Sequence, residues 1–116
     1  MKAANNNVDI DNLHPDLIEI VNKIENELKQ ELIITSGFRD ATHPVEARKS
    51  KPGTHYGDGK VGYAIDVAAI GGYSTYSLVA AAIKSGIKRL GINRSRGFVH
   101  LDIADRYERP VSIWTY

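Results

Sequence analysis

A chain of 116 residues has the size of one domain, and a single core of that length buries only about two-thirds of the unfolded surface. Lys and Arg number 15 against 14 Asp and Glu, a net charge of +1 that argues against the basic face of a general nucleic-acid binder. There are no cysteines, which excludes a disulfide framework and thiolate chemistry and leaves any metal to His, Asp, Glu or Asn, with four histidines to draw on.

In chain order, residues 1–10 are polar and expected to be loosely held. No apolar run follows Met1 as a signal peptide would require, and none is long enough to span a bilayer. Pro15 suits the first position of a helix, with His14 or Asn12 near the cap. Leu13, Leu17, Ile20, Val21, Ile24 and Leu28 recur at helical spacing and form its apolar stripe. Leu32-Ile33-Ile34-Thr35 is a β-branched run closed by Ser36-Gly37 and is predicted to be a strand. Residues 38–61 follow as a long irregular connection, and a loop of that length in a small domain is usually functional.

Val61 to Ala69 returns to a strand pattern, broken by Gly71-Gly72. Ser74 or Thr75 is predicted to cap a second helix that stops near Gly86. Arg89–Asn93 and Phe98–Ile103 read as a hairpin, and Pro110–Tyr116 as a last extended segment. The layout is α+β: a single domain, residues 1–116, with a small, mostly antiparallel sheet and helices packed on one side.

Three residues carry unusual chemistry for their settings. Asp66 sits inside the apolar run Ala64-Ile65-Asp66-Val67-Ala68, where an unpaired buried charge is very costly. A metal would partner it; so would Arg39 or Arg89, or an edge position facing water. His100 alternates with Val99 and Leu101, so it shares a face with Phe98 and Asp102. His55 lies in the long loop after Pro52-Gly53. Each histidine alone fits an ordinary surface or core role, but two imidazoles and one carboxylate together leave a vacant position on zinc, as catalytic sites do.

These motifs carry a resemblance. Ser36-Gly37-Phe38-Arg39, Gly53-Thr54-His55, Gly62-Tyr63-Ala64-Ile65-Asp66 and Phe98-Val99-His100-Leu101-Asp102 resemble the zinc D-Ala-D-Ala carboxypeptidases and L-alanyl-D-glutamate endopeptidases. His43-Pro44-Val45-Glu46-Ala47 and the ending Pro110-Val111 to Trp114-Thr115-Tyr116 are similar to a phage-type branch, so the likeness spans residues 31–116 or so. It implies a hedgehog/D-Ala-D-Ala peptidase-like fold and hydrolysis of a peptidoglycan stem-peptide bond, D-Ala-D-Ala or L-Ala-D-Glu, with metal-activated water. It implies His55, Asp66 and His100 as zinc ligands and Arg39 as the grip on a substrate carboxylate. It further implies a monomer with no nucleic-acid or membrane partner. The enzyme would be made in a host cytoplasm and reach the wall through a phage lysis system or on a virion.

Two departures stand out. Ten residues, Tyr56 to Ile65, separate His55 from Asp66, more than the family pattern, which reads as an insertion around Gly57-Asp58-Gly59-Lys60. Several relatives carry an acidic base three residues before the last histidine, and here that position is Gly97. Asp102 is the candidate replacement as proton shuttle, with orientation of His100 as its other reading. Loss of the base would leave a non-catalytic zinc-containing wall-binding or phage structural domain. A nucleic-acid reading would draw on Arg48, Lys49, Lys51 and Lys60.

Overall fold

Along a strand, successive side chains face opposite sides of the sheet, so the alternation of Val99 and Leu101 with His100 and Asp102 already assigns two faces. A computed structural model, describing residues 1–49 and 53–116, shows what each face meets. Its elements are β1 (Lys2–Ala3), α1 (Pro15–Leu28), β2 (Ile33–Ser36), β3 (Ala64–Ala68), α2 (Gly72–Lys84), β4 (Arg89–Asn93), β5 (Phe98–Asp102) and β6 (Ser112–Thr115). Short 3-10 turns lie at Glu46–Arg48 and Ala104–Tyr107.

The fold is α+β. Its strands form one sheet in the order β1-β2-β3-β5-β4-β6. The central pairings β2–β3, β3–β5 and β5–β4 are antiparallel, while β1–β2 and β4–β6 are parallel, so the sheet is mixed. The parallel edges follow from connectivity, because α1 separates β1 from β2 and β5 intervenes between β4 and β6.

One face of the sheet is apolar. Ile34, Ile65, Val67, Leu90, Val99 and Leu101 are buried there with Leu17, Ile20, Val21 and Ile24 of α1 and Leu78, Ala81 and Ala82 of α2. Pro15 opens α1 without losing a needed N–H, and His14 caps it, its Nδ1 accepting the Asp16 N–H at 3.0 Å. Lys29 closes α1 in the left-handed region at φ 53°. The second helix begins at Gly72, ahead of the cap expected at Ser74 or Thr75. Gly71 is its cap, and Thr75 donates its hydroxyl to the Gly71 carbonyl at 2.8 Å. Among the described residues no helix is long and apolar enough to cross a membrane.

Residues 1–10, expected to be loosely held, are bonded to the sheet. Lys2 N–H donates to Leu32 O and Ala4 N–H to Ile34 O, both at 2.9 Å, and Phe38 N–H donates to Asp9 O at 2.9 Å. Strand pairing of this kind uses backbone groups alone, which a polar composition does not reveal. Met1, Val8 and Ile10 also pack against the core.

Candidate metal centre

The second face of the sheet carries the site. Register places Asp66 opposite His100, His100 opposite Gly91, Gly91 opposite Trp114, and Ser36 opposite Asp66. One row thus crosses β2, β3, β5, β4 and β6 as Ser36, Asp66, His100, Gly91 and Trp114. A neighbouring row holds Ala64, Asp102, Arg89 and Ser112. A bulge between Ile34 and Ser36 lets Ile34 face the core while Ser36 still joins the site face.

His55 comes to this row from the long loop. Tyr63 N–H donates to Thr54 O at 2.9 Å and Arg39 N–H to His55 O at 3.0 Å, fixing the loop against β2 and β3. Glu46 is buried; its Oε1 accepts the Gly53 N–H at 2.7 Å and its Oε2 lies 3.4 Å from Lys49 Nζ. That carboxylate clamps the stretch on which His55 rides. Lys51 of the basic-patch reading and Pro52 of the loop motif lie outside the described residues.

The three expected ligands meet. One ligand atom from each of His55, Asp66 and His100 lies within 4.8 Å of the others, and all three residues are buried. His55 Nε2 is 3.3 Å from Asp66 Oδ1, and His100 Nδ1 is 2.9 Å from the same oxygen. The remaining ring nitrogens are each engaged elsewhere. His55 Nδ1 is 2.9 Å from Gly37 O, and His100 Nε2 is 2.7 Å from Asp102 Oδ2.

The chemistry of these atoms fits a cation. A carbonyl only accepts, so His55 Nδ1 carries the proton and donates it to Gly37 O. Its Nε2 then presents a lone pair to the Asp66 carboxylate, an arrangement that a positive charge between them relieves. Burial, followed by the nearby His100 and Arg39 charges, holds the His55 imidazole below its ordinary value against the pull of Asp66. Burial opposes charge on His100 too, but Asp102 and then Asp66 outweigh it, and its value is raised. Burial would raise Asp66, yet the imidazoles of His100 and His55 beside it, which attract its charged form when they are protonated, hold its carboxyl far below the usual carboxylate range.

Asp102 lies behind the His100 ring. It is fully buried, its Oδ1 accepting from Arg89 Nε at 2.8 Å and from Ala104 N–H at 2.9 Å, and its Oδ2 facing His100 Nε2. Both oxygens are therefore committed on the side of the ring away from Asp66. Gly97, at the usual acidic position, has φ +71° and closes the β4–β5 turn by donating to Asn93 O at 2.9 Å. A left-handed turn position favours glycine over an acid.

Arg39 pairs with none of Asp40, Glu46 and Asp66. Asp66 is bonded to His100, Glu46 to Gly53, and Asp40 accepts the Thr42 N–H and hydroxyl. Arg39 Nε is buried with no hydrogen-bond partner among the described residues. On the opposite side of the row, Trp114 lies over Gly91 with its ring 5.3 Å from His100, and Arg89 Cζ sits 5.2 Å over the indole. His14 is a helix cap bonded to Tyr107 and His43 lies in the loop after Arg39; neither is among the three converging side chains.

The family described as Peptidase M15 matches residues 1–102. The chain belongs to the peptidase M15 family. That match runs through every strand bearing the His-Asp-His cluster and ends with β5, so β6 and Trp114 lie beyond it. It also starts at residue 1, earlier than the resemblance near residue 31, consistent with β1 belonging to the sheet. M15 membership makes the chain a metallopeptidase by family, and the three-residue cluster is able to hold a metal ion. No curated protein and no solved structure matches this chain.

Some working parts were not visible in the sequence reading. The Gly37 carbonyl is a backbone group and leaves no signal of its own. Arg89 was considered for Asp66 but pairs with Asp102, since register places it directly opposite that residue. The tie of Glu46 to Gly53 spans residues that only folding brings together.

Proposed function

We propose that the protein is a zinc-dependent peptidase that hydrolyses a stem-peptide bond of peptidoglycan, either D-Ala-D-Ala or L-Ala-D-Glu. The observation that carries this reading is the convergence of His55 Nε2, Asp66 Oδ1 and His100 Nδ1 in a chain of the M15 family. Those three residues would hold the metal. Bound zinc supplies a Lewis acid that polarises a peptide carbonyl and lowers the pKa of water to about 7.

The chain's own groups do the rest. Gly37 O and Asp102 hold the two imidazoles in the tautomers that aim Nε2 and Nδ1 inward. Asp102 is assigned this orienting role instead of the proton shuttle, because both of its oxygens are engaged behind His100. Arg39, whose Nε has no hydrogen-bond partner among the described residues, offers a planar guanidinium to a substrate carboxylate. Trp114 walls the β6 side of the row.

The committed oxygens of Asp102 and the turn glycine at 97 favour a second reading, a metal-holding wall-binding domain without turnover. A zymogram on purified cell wall, with and without chelator, separates the two. The peptidase reading expects clearing that chelation abolishes and zinc restores, with mass spectrometry of released peptides naming the bond. Clearing that survives chelation refutes the zinc mechanism, and no clearing by zinc-loaded protein favours the binding domain.

A further inference from the structure

Of the two helices on the apolar face of the sheet, α1 turns charge outward and α2 does not. Asp16, Glu19, Lys23 and Glu27 are exposed along α1. In α2 the one charged residue is Lys84, in the last turn. Thr75, Leu78, Ala81 and Ala82 of α2 are buried, yet its far side is apolar as well: Tyr73 is 85% exposed, Tyr76 73% and Ile83 50%. A helix that is apolar all round is ordinarily covered all round. The turns at its N-terminal end extend the patch. Ile70, 83% exposed, precedes the helix, and Ala69 N–H donates to Gly97 O at 2.8 Å, which brings the β4–β5 turn with Arg94 and Arg96 to the same end. Arg94 also lines, with Tyr76, Val79, Ile83 and Ile92, an open hollow of about 510 Å³ between α2 and β4.

We infer that this face seats the protein on the surface of an anionic lipid bilayer, with the apolar side chains entering the interface and the two arginines meeting headgroup phosphates. Charge selects the occupant. Between Asp66 and Asp102 the chain has no Asp or Glu, although it has 14 in all, and it has Lys84, Lys88, Arg89, Arg94 and Arg96. Arg89 is engaged by Asp102, and Lys84 by Glu27 of α1. Arg94 and Arg96 are exposed and have no ion pair among the described residues. Glu31, just past the end of α1, lies 3.8 Å from the Met1 amine. A second copy docking by the same face would be isologous, and would set these cations against a surface with no acid of its own. An anionic bilayer offers negative charge and an apolar boundary at once, and Tyr is a residue of that boundary. The contact is peripheral, since no helix among the described residues is long and apolar enough to cross a membrane. Because α2 packs on the sheet face opposite the metal row, the seating leaves Asp66 and His100 on the side away from lipid. The inference is independent of the peptidase reading and departs from the membrane-free expectation attached to the family resemblance.

The full chain is sedimented with vesicles of phosphatidylglycerol and phosphatidylcholine in equal parts, and with vesicles of phosphatidylcholine alone. Binding to the mixed vesicles is expected to be about tenfold tighter or more, and to weaken as salt is raised. Arg94→Gln and Arg96→Gln each weaken it about fivefold, and together about 25-fold. Tyr73→Ser combined with Tyr76→Ser weakens it about tenfold or more. All four positions are exposed, so the Tm of these variants stays near that of the parent chain. Lys23→Gln removes the same charge from the exposed side of α1 and leaves binding unchanged. A nitroxide-labelled lipid broadens the backbone amides of residues 70–84 and 94–97 ahead of those of Ser36 and Asp66. No binding to the mixed vesicles, equal binding to both kinds, or as large a loss in Lys23→Gln as in Arg94→Gln overturns the proposal. Binding that survives Tyr73→Ser with Tyr76→Ser is attraction of charge alone, such as a soluble anionic polymer would feel, and overturns the lipid assignment. A concentration-dependent dimer that Tyr76→Ser dissolves makes the face a self-contact and overturns it too.

Discussion

Replacing Asp102 by Asn distinguishes an orienting residue from a proton shuttle. The swap conserves shape, and the Asn oxygen retains the bonds from Arg89 at 2.8 Å and Ala104 N–H at 2.9 Å. The amide nitrogen then faces His100 Nε2, which stands 2.7 Å from Oδ2. An amide donates there, so Nε2 must accept and the ring proton moves to Nδ1, the atom that faces Asp66 and would bind the metal. Zinc must then displace a wrongly placed proton and loses the charge of Asp102 behind the ring. The expected loss of zinc affinity is about 10- to 100-fold, or about 1.4 to 2.8 kcal/mol. Asp102→Ala is the poorer probe, since it leaves Arg89 as a buried unpaired charge at a cost of about 3–5 kcal/mol. The assay is competition for zinc against a chromophoric chelator, with activity measured at saturating zinc. Unchanged zinc affinity together with a kcat loss of about 100-fold or more would refute the reasoning and return Asp102 to the role of shuttle.

Gly91→Ala should destabilise the chain by about 1–3 kcal/mol, read as a lower Tm, because the new Cβ would stand 2.5 Å from Trp114 Cε2 and closer still to Nε1. The loss should shrink in a Trp114→Ala background; additive effects of the two substitutions would contradict the packing. Zinc binding at pH 6.5 should release about one proton, that of His100 Nδ1, because His100 is raised above its ordinary value while His55 is held below its own and Asp66 is ionised. The sign follows from the raised value of His100: its proton competes with the metal below that value, so affinity falls as pH falls and levels off above it. Calorimetry in two buffers of different ionisation enthalpy reads the proton count, and zero or two protons would contradict it.

The core and the site residues were legible where a repeating pattern carries them. The stripe Leu17, Ile20, Val21 and Ile24 and the alternation Val99, His100, Leu101, Asp102 each assign a face, and burial follows it. The convergence of His55 with Asp66 needed the family motif, since the intervening loop has no periodicity to place it. What stayed hidden was set by pairing. The parallel strand β1 is held by backbone bonds to Leu32 and Ile34, and α2 starts at Gly72 because the backbone of Gly71, not a side-chain oxygen, makes the cap. The role of Asp102 was open in the sequence because alternation gives the face but not which ring nitrogen it meets.

The most direct test is anomalous scattering at the zinc edge from crystals of zinc-loaded protein. The account predicts one strong peak about 2.0–2.2 Å from His55 Nε2, Asp66 Oδ1 and His100 Nδ1 together. A peak bound elsewhere, or none among those three atoms at full zinc loading, would contradict it.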